Sequence, residues 1–129
     1  VFKNDNFKSI TDERFVKFQA DMGTLDDFVA SKNLEVISLI KMDIEGYELF
    51  ALKGAQNTIK TKKPLIIIEH NQNRFKEVNI DEKEIGRVLP DYDFYEICRP
   101  TSFEDYVSLE PFNFDRKLTF SNLLCIPKN

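Results

Sequence analysis

The sequence predicts an α/β domain whose sheet is mainly parallel and finishes in an antiparallel hairpin. Two short apolar runs, Val36 to Met42 and Leu65 to Glu69, are bounded by charge or proline and do not alternate, as suits strands buried on both faces. Segments with apolar residues at helical spacing follow these runs, giving the strand–helix alternation of a parallel sheet. The last two strand-like runs, Phe94 to Cys98 and Asn122 to Ile126, have no helical pattern between them and read as an antiparallel edge hairpin.

Taken in order, residues 1–13 show no period and read as loop, and Arg14 to Gln19 alternate as a short strand. Thr24-Leu25-Asp26-Asp27 opens a helix. Thr24 is placed to accept from the N–H three residues on and Asp27 to reach back, as in a capping box, with Leu25, Phe28 and Val29 as the buried stripe and an end near Asn33. After the first central strand, Leu49, Leu52, Ala55 and Ile59 recur at helical spacing. Glu45 and Glu48 at the start of this helix and Lys60, Lys62 and Lys63 at its end complement its dipole. Pro64 stops it and opens the second strand. A polar loop, Asn71 to Asn79, leads to a helix that begins near Asp81, buries Ile85, Val88 and Leu89, and stops at Pro90. Arg99 to Thr119, rich in Phe, Tyr and acidic residues, reads as a long connection. No repeat or linker divides the chain, so residues 1–129 form one domain.

Composition narrows the function. A net charge of −4 argues against a nucleic-acid partner, which needs a basic face. The apolar runs are too short to span a bilayer, and the first residues lack a signal peptide's basic-then-apolar order. Cys98 and Cys125 have no C-x-x-C spacing and read as buried, reduced thiols, which makes the expected compartment cytoplasmic.

Ligands of open α/β sheets bind at the carboxyl ends of the strands. Two such ends carry clustered polar groups, Asp43-Ile44-Glu45-Gly46-Tyr47-Glu48 and Glu69-His70-Asn71-Gln72-Asn73. If the strands are neighbours, Asp43 and His70 face one cleft. The plainer alternative makes Asp43 and Glu45 helix caps and Glu48 a solvated first-turn charge. His70, the sole histidine, is either structural or a general base. Tyr47, Phe75 and Tyr106 either line a pocket or cover core, and Asn71 and Asn73 either bind a ligand or shape a turn. Asp43 with Glu69, His70 or Asn71 also makes an oxygen-rich divalent metal site conceivable, but without the spacing of paired Cys and His patterns, and no residue is assigned as a ligand.

Thr24 to Phe28, Leu39-Ile40-Lys41-Met42-Asp43-Ile44-Glu45-Gly46-Tyr47-Glu48, Leu52-Lys53-Gly54-Ala55 and Lys63-Pro64-Leu65-Ile66-Ile67-Ile68-Glu69-His70 together resemble the FkbM methyltransferase domain in order and spacing, and Asn122 to Pro127 looks like its closing strand. The resemblance implies part of a class I methyltransferase (Rossmann-like) sheet and methyl transfer from S-adenosylmethionine to a hydroxyl of a sugar or natural product. It implies catalytic roles for Asp43, near the transferred methyl or the acceptor oxygen, and for His70, with His70 or Glu69 orienting or deprotonating that oxygen. It also implies a cofactor-binding set of Asp43, Glu45 and Gly46, and substrate contacts from Glu69, Asn71 and Tyr47. The fold grips its cofactor mainly through a Gly-rich turn after its first strand and an acidic residue after its second. Gly23, Gly46, Gly54 and Gly86 form no such turn. With Val1 in place of an initial Met, the sequence therefore reads as the carboxyl-terminal part of one methyltransferase domain, its first strands missing and S-adenosylmethionine held through the missing amino-terminal half. The expected partner is a small-molecule or carbohydrate acceptor, and the strand at Val36 to Met42, lacking its neighbour, is expected to promote self-association. The competing reading is a non-catalytic interaction module that uses Phe103 to Phe114 as its contact surface.

Overall fold

The computed structural model describes residues 20–99 and 106–129. The strand expected at Arg14 to Gln19, the loop at 1–13, and residues 103–105 of the acidic-aromatic segment lie outside them. The elements run α1 (Leu25–Ser31), β1 (Leu39–Met42), α2 (Glu48–Lys53), α3 (Gln56–Lys62), β2 (Leu65–Asn71), α4 (Gln72–Glu77), α5 (Lys83–Val88), β3 (Tyr92–Cys98), β4 (Ser108–Pro111) and β5 (Phe120–Pro127). They build a mixed α/β fold on a five-stranded sheet of order β1-β2-β5-β3-β4.

The sheet corrects the expectation of a mainly parallel arrangement. Only β1 and β2 pair in parallel, whereas β2–β5, β3–β5 and β3–β4 are antiparallel. β5 is not at the edge. It inserts between β2 and β3, setting Leu123 and Cys125 opposite Ile68 and Ile66 of β2. Leu123 and Cys125 are fully buried there, which gives the most apolar of the later strands two paired neighbours. The long connection before it contains β4, which is exposed throughout and forms one edge of the described sheet.

β1 is the other edge, and it is shorter and wetter than a central strand. It spans four residues, and Val36, before it, is 79% exposed. Leu39 is also largely exposed, so the strand is not buried on both faces. β2 buries only alternate residues, Ile66, Ile68 and His70. That alternation defines two faces. One lies under the core that Met42, Ile66, Ile68 and Cys125 share with Leu49, Leu52, Ala55, Ile59, Phe75, Ile85 and Leu89 from the helical segments. Leu39, Lys41, Ile67, Glu69 and Asn71 occupy the alternate positions.

The predicted stripe Leu49, Leu52, Ala55, Ile59 is buried, but on two helices instead of one. The break at Gly54-Ala55 has a tertiary cause. Asp26 of α1 accepts from the N–H groups of Asn57 (3.0 Å) and Thr58 (2.7 Å), capping α3 from outside, while its own N–H donates to the Gly54 carbonyl. Gly54 sits against Thr24, where a Cβ would come 3.3 Å from the Thr24 Cβ. Thr24 itself caps α1, accepting from the Asp27 N–H at 3.0 Å. Phe28, expected in the stripe, is instead exposed, and Val29 carries the burial. The expected polar loop Asn71 to Asn79 holds α4, which buries Phe75. Phe112 and Phe114 pack edge-on against each other, with Phe114 on Phe94, so these two aromatics cover core instead of offering a contact surface. Tyr106, 92% exposed, covers nothing. Among the described residues no helix is long and apolar enough to cross a membrane.

Candidate functional site

β1 and β2 run in parallel register from Leu39↔Leu65 to Met42↔Ile68, so β1 ends beside Ile68 while β2 continues to Asn71 against β5. Asp43 follows Met42 and Glu69 follows Ile68, one step past the last paired residues. The period of two that buries Met42 and Ile68 puts Glu69 on the opposite face. Asp43 lies near it, and the Lys41 ammonium joins Asp43 at 2.7 Å. Burial pushes the Glu69 carboxyl above its ordinary value, and the charges of Asp43, Glu45 and Glu48 push it further, with Lys41 opposing them. Glu69 thus feels the charges of three neighbouring carboxylates, of which Lys41 pairs with Asp43.

The turn that links β1 to α2 is tightly built. Glu45 (φ 58°) and Gly46 (φ 97°) are left-handed in succession, a conformation that favours glycine at the second position. Gly46 lies on α4, where a Cβ would meet the Arg74 carbonyl oxygen at 3.0 Å. Arg74 also reaches back, its Nε 2.8 Å from Glu45 Oε2. Neither Asp43 nor Glu45 caps α2, whose N-cap is Tyr47 with no side-chain cap bond. Glu48, the first residue of α2, instead ties down the turn before the helix, its Oε1 accepting from the Ile44 N–H at 2.9 Å. Glu48 is buried, which corrects the expectation of a solvated charge.

His70 goes elsewhere. It shares the buried face with Ile66 and Ile68, fully enclosed, with its Nε2 2.8 Å from Glu82 Oε2 and its ring edge-on to Phe75 and Phe112. Burial pushes its pKa below the ordinary histidine value, although Glu82 and Glu96 pull the other way. The structure therefore brings Asp43 to Glu69, whereas the expected cleft paired Asp43 with His70. Asn71 caps α4, its Oδ1 accepting from the Arg74 N–H at 3.3 Å, while Asn73 is exposed. Tyr47 is half-exposed beside Phe50, and Phe75 is core. Glu48 and Arg74 are the site residues that sequence reasoning did not assign. Nothing local marks Glu48, because its partner Ile44 lies across a turn with two positive-φ residues and not on a helix.

Among the described residues, the one cluster of three metal-ligating side chains within 4.8 Å of one another is Glu96, Cys98 and Glu110, at the carboxyl end of β3, with β5 between it and β2. The Arg116 guanidinium already pairs with both of its carboxylates, 3.0 Å from Glu96 and 3.6 Å from Glu110. Cys98 and Cys125 are free thiols, and burial raises the Cys125 pKa to about 12, which keeps it protonated and inert. Cys98 is only partly buried, short of the expectation for both thiols.

No curated protein and no solved structure matches the chain. The family model described as Methyltransferase FkbM domain matches residues 3–107, a span that includes α1, both parallel strands and the turn between β1 and α2. The chain belongs to the FkbM methyltransferase domain family.

Proposed function

We propose that this domain serves methyl transfer from S-adenosylmethionine to a hydroxyl oxygen of a small-molecule or carbohydrate acceptor, with the acceptor at the carboxyl ends of β1 and β2. The observation that carries this reading is the Asp43–Glu69 grouping on adjacent parallel strands, with the Glu69 carboxyl held above its ordinary value by burial and by the charges of Asp43, Glu45 and Glu48. The donor set fits the cofactor in one respect: clustered carboxylates suit a cationic ligand. The glycines fit it less, since none forms a Gly-rich cofactor turn. S-adenosylmethionine, when bound, supplies an electrophilic methyl group on a positively charged sulfur.

The chain's own residues then have separable tasks. Glu69 would accept the hydroxyl proton as the acceptor oxygen takes the methyl carbon, the carbon–sulfur bond of the donor breaking with its electron pair left on sulfur. Asp43, held by Lys41, orients that hydroxyl from the neighbouring strand. Glu45 and Gly46 form the floor of the site through their contact with Arg74. His70, enclosed against Glu82, contributes by fixing the end of β2 and touches no acceptor. The experiment is methyl transfer from labelled S-adenosylmethionine to a panel of hydroxylated acceptors. The wild-type rate is expected to fall as pH drops through the raised Glu69 pKa. Glu69→Gln should lower kcat by about 100-fold or more, the usual scale of general-base catalysis, and remove that limb. An unchanged rate in Glu69→Gln would exclude the assignment.

A further inference from the structure

We infer that Glu48 is a positioning residue that holds the β1–α2 turn, and with it Asp43, beside Glu69; the inference rests on the methyltransferase reading above. Glu48 is 1% exposed, yet it belongs to a six-residue surface helix that an exposed side chain could cap. Its Oε1 accepts from the Ile44 N–H, the residue directly after Asp43. Its Oε2 is buried with no hydrogen-bond partner among the described residues. Leaving a carboxylate oxygen buried and unmatched is costly, and capping alone does not require it.

The turn needs such a hold. Two successive positive-φ residues, one of them the non-glycine Glu45, persist only where the surroundings fix them. From outside, the turn has the exposed Glu45–Arg74 pair, which is screened by solvent and holds it weakly. From inside it has Glu48. The same carboxylate is among those whose charge raises Glu69, so Glu48 acts on the site through a hydrogen bond and through its charge. Glutamine separates the two effects, because its amide oxygen keeps the acceptor for Ile44 while the charge is lost.

The test uses the 129-residue chain and two nuclear magnetic resonance readouts: amide exchange at Ile44 and Ile68, and titration of the Glu69 carboxyl. Glu48→Gln should leave Ile44 exchange within about twofold of wild type and lower the Glu69 midpoint. Glu48→Ala should accelerate Ile44 exchange at least roughly tenfold, the loss of one charge-assisted hydrogen bond, with Ile68 exchange unchanged. Unchanged Ile44 exchange in Glu48→Ala overturns the inference. So does equal acceleration at Ile44 and Ile68, which would make Glu48 a general stabiliser. Should Glu48→Ala fail to fold, an unmoved Glu69 midpoint in Glu48→Gln is equally decisive against it. Absence of methyl transfer by the wild-type protein would remove the functional reading but leave these two readouts to judge Glu48 separately.

Discussion

Gly46→Ala places one methyl group at the tightest point of the site. The backbone there has φ 97°, and the added Cβ would lie 3.0 Å from the Arg74 carbonyl oxygen and 3.1 Å from the Arg74 carbonyl carbon and Cβ. The left-handed conformation costs an L-residue about 1–2 kcal/mol. The contact with Arg74 is largely with backbone, so relief requires α4 to move, and overpacking of this kind costs about 1–3 kcal/mol. Reduced freedom of the unfolded chain returns about 0.4–1 kcal/mol. The net expectation is a loss of about 3 kcal/mol, or a fall in Tm of roughly 12 °C for a domain of this size. Urea unfolding followed by circular dichroism measures it. Gly23→Ala is the control, since nothing lies within 4 Å of the Cβ it would add, and it should change stability by less than about 0.5 kcal/mol. A Gly46→Ala loss no larger than that of the control would refute the reasoning, because it would mean that the turn does not press on α4.

The Asp26 cap should show in the pH dependence of stability. Burial alone would raise the Asp26 pKa, but hydrogen bonds from Thr58 and Asn57 outweigh it and hold it below the ordinary aspartate value. Its stabilisation is therefore complete above the unfolded pKa near 3.8 and is lost as pH falls through the lower folded value. Asp26→Ala should cost about 1–2 kcal/mol at pH 7, measured by urea unfolding, and the gap to wild type should narrow in acid; a constant gap would count against the charge. His70 works in the opposite chemical sense. Its folded pKa lies below 6.5, so the unfolded chain takes up the proton first and stability falls as pH drops below 6.5. In His70→Phe, which suits the ring's aromatic neighbours Phe75 and Phe112, thermal unfolding between pH 7 and 5 should lose that slope; retention of the slope would assign it to other groups. The exposed β1 edge should make the isolated chain self-associate, and light scattering should find dimers or larger species, where a stable monomer would show that the edge is covered.

The order of elements from α1 to β2 was legible because each carried a local signal. Thr24 capped where its spacing to Asp27 indicated, Pro64 stopped a helix, and the stripe from Leu49 to Ile59 met the core. α4 was hidden because its six residues bury one apolar side chain, Phe75, too few to show a period. β4 was hidden because all four of its residues are exposed, and among the described strands it pairs with β3 alone. The division of one expected helix into α2 and α3 was invisible for a different reason. The residue that caps α3 is Asp26, on another helix, and no local pattern encodes a long-range partner.

At the site, the sequence by itself determined that Asp43 and Glu69 stand where two apolar strand runs stop. That is a consequence of local chemistry, the point at which each apolar run gives way to polar residues. The tertiary structure alone decided that β5 enters between β2 and β3, that His70 faces the core and pairs with Glu82, and that Glu48 is buried under the turn. Strand order depends on competition among apolar strands for two paired neighbours, and the fate of a single polar side chain depends on which face its register assigns it. One step along β2 separates a carboxylate beside Asp43 from a histidine enclosed by Phe75 and Phe112, because successive side chains of a strand point to opposite faces of the sheet.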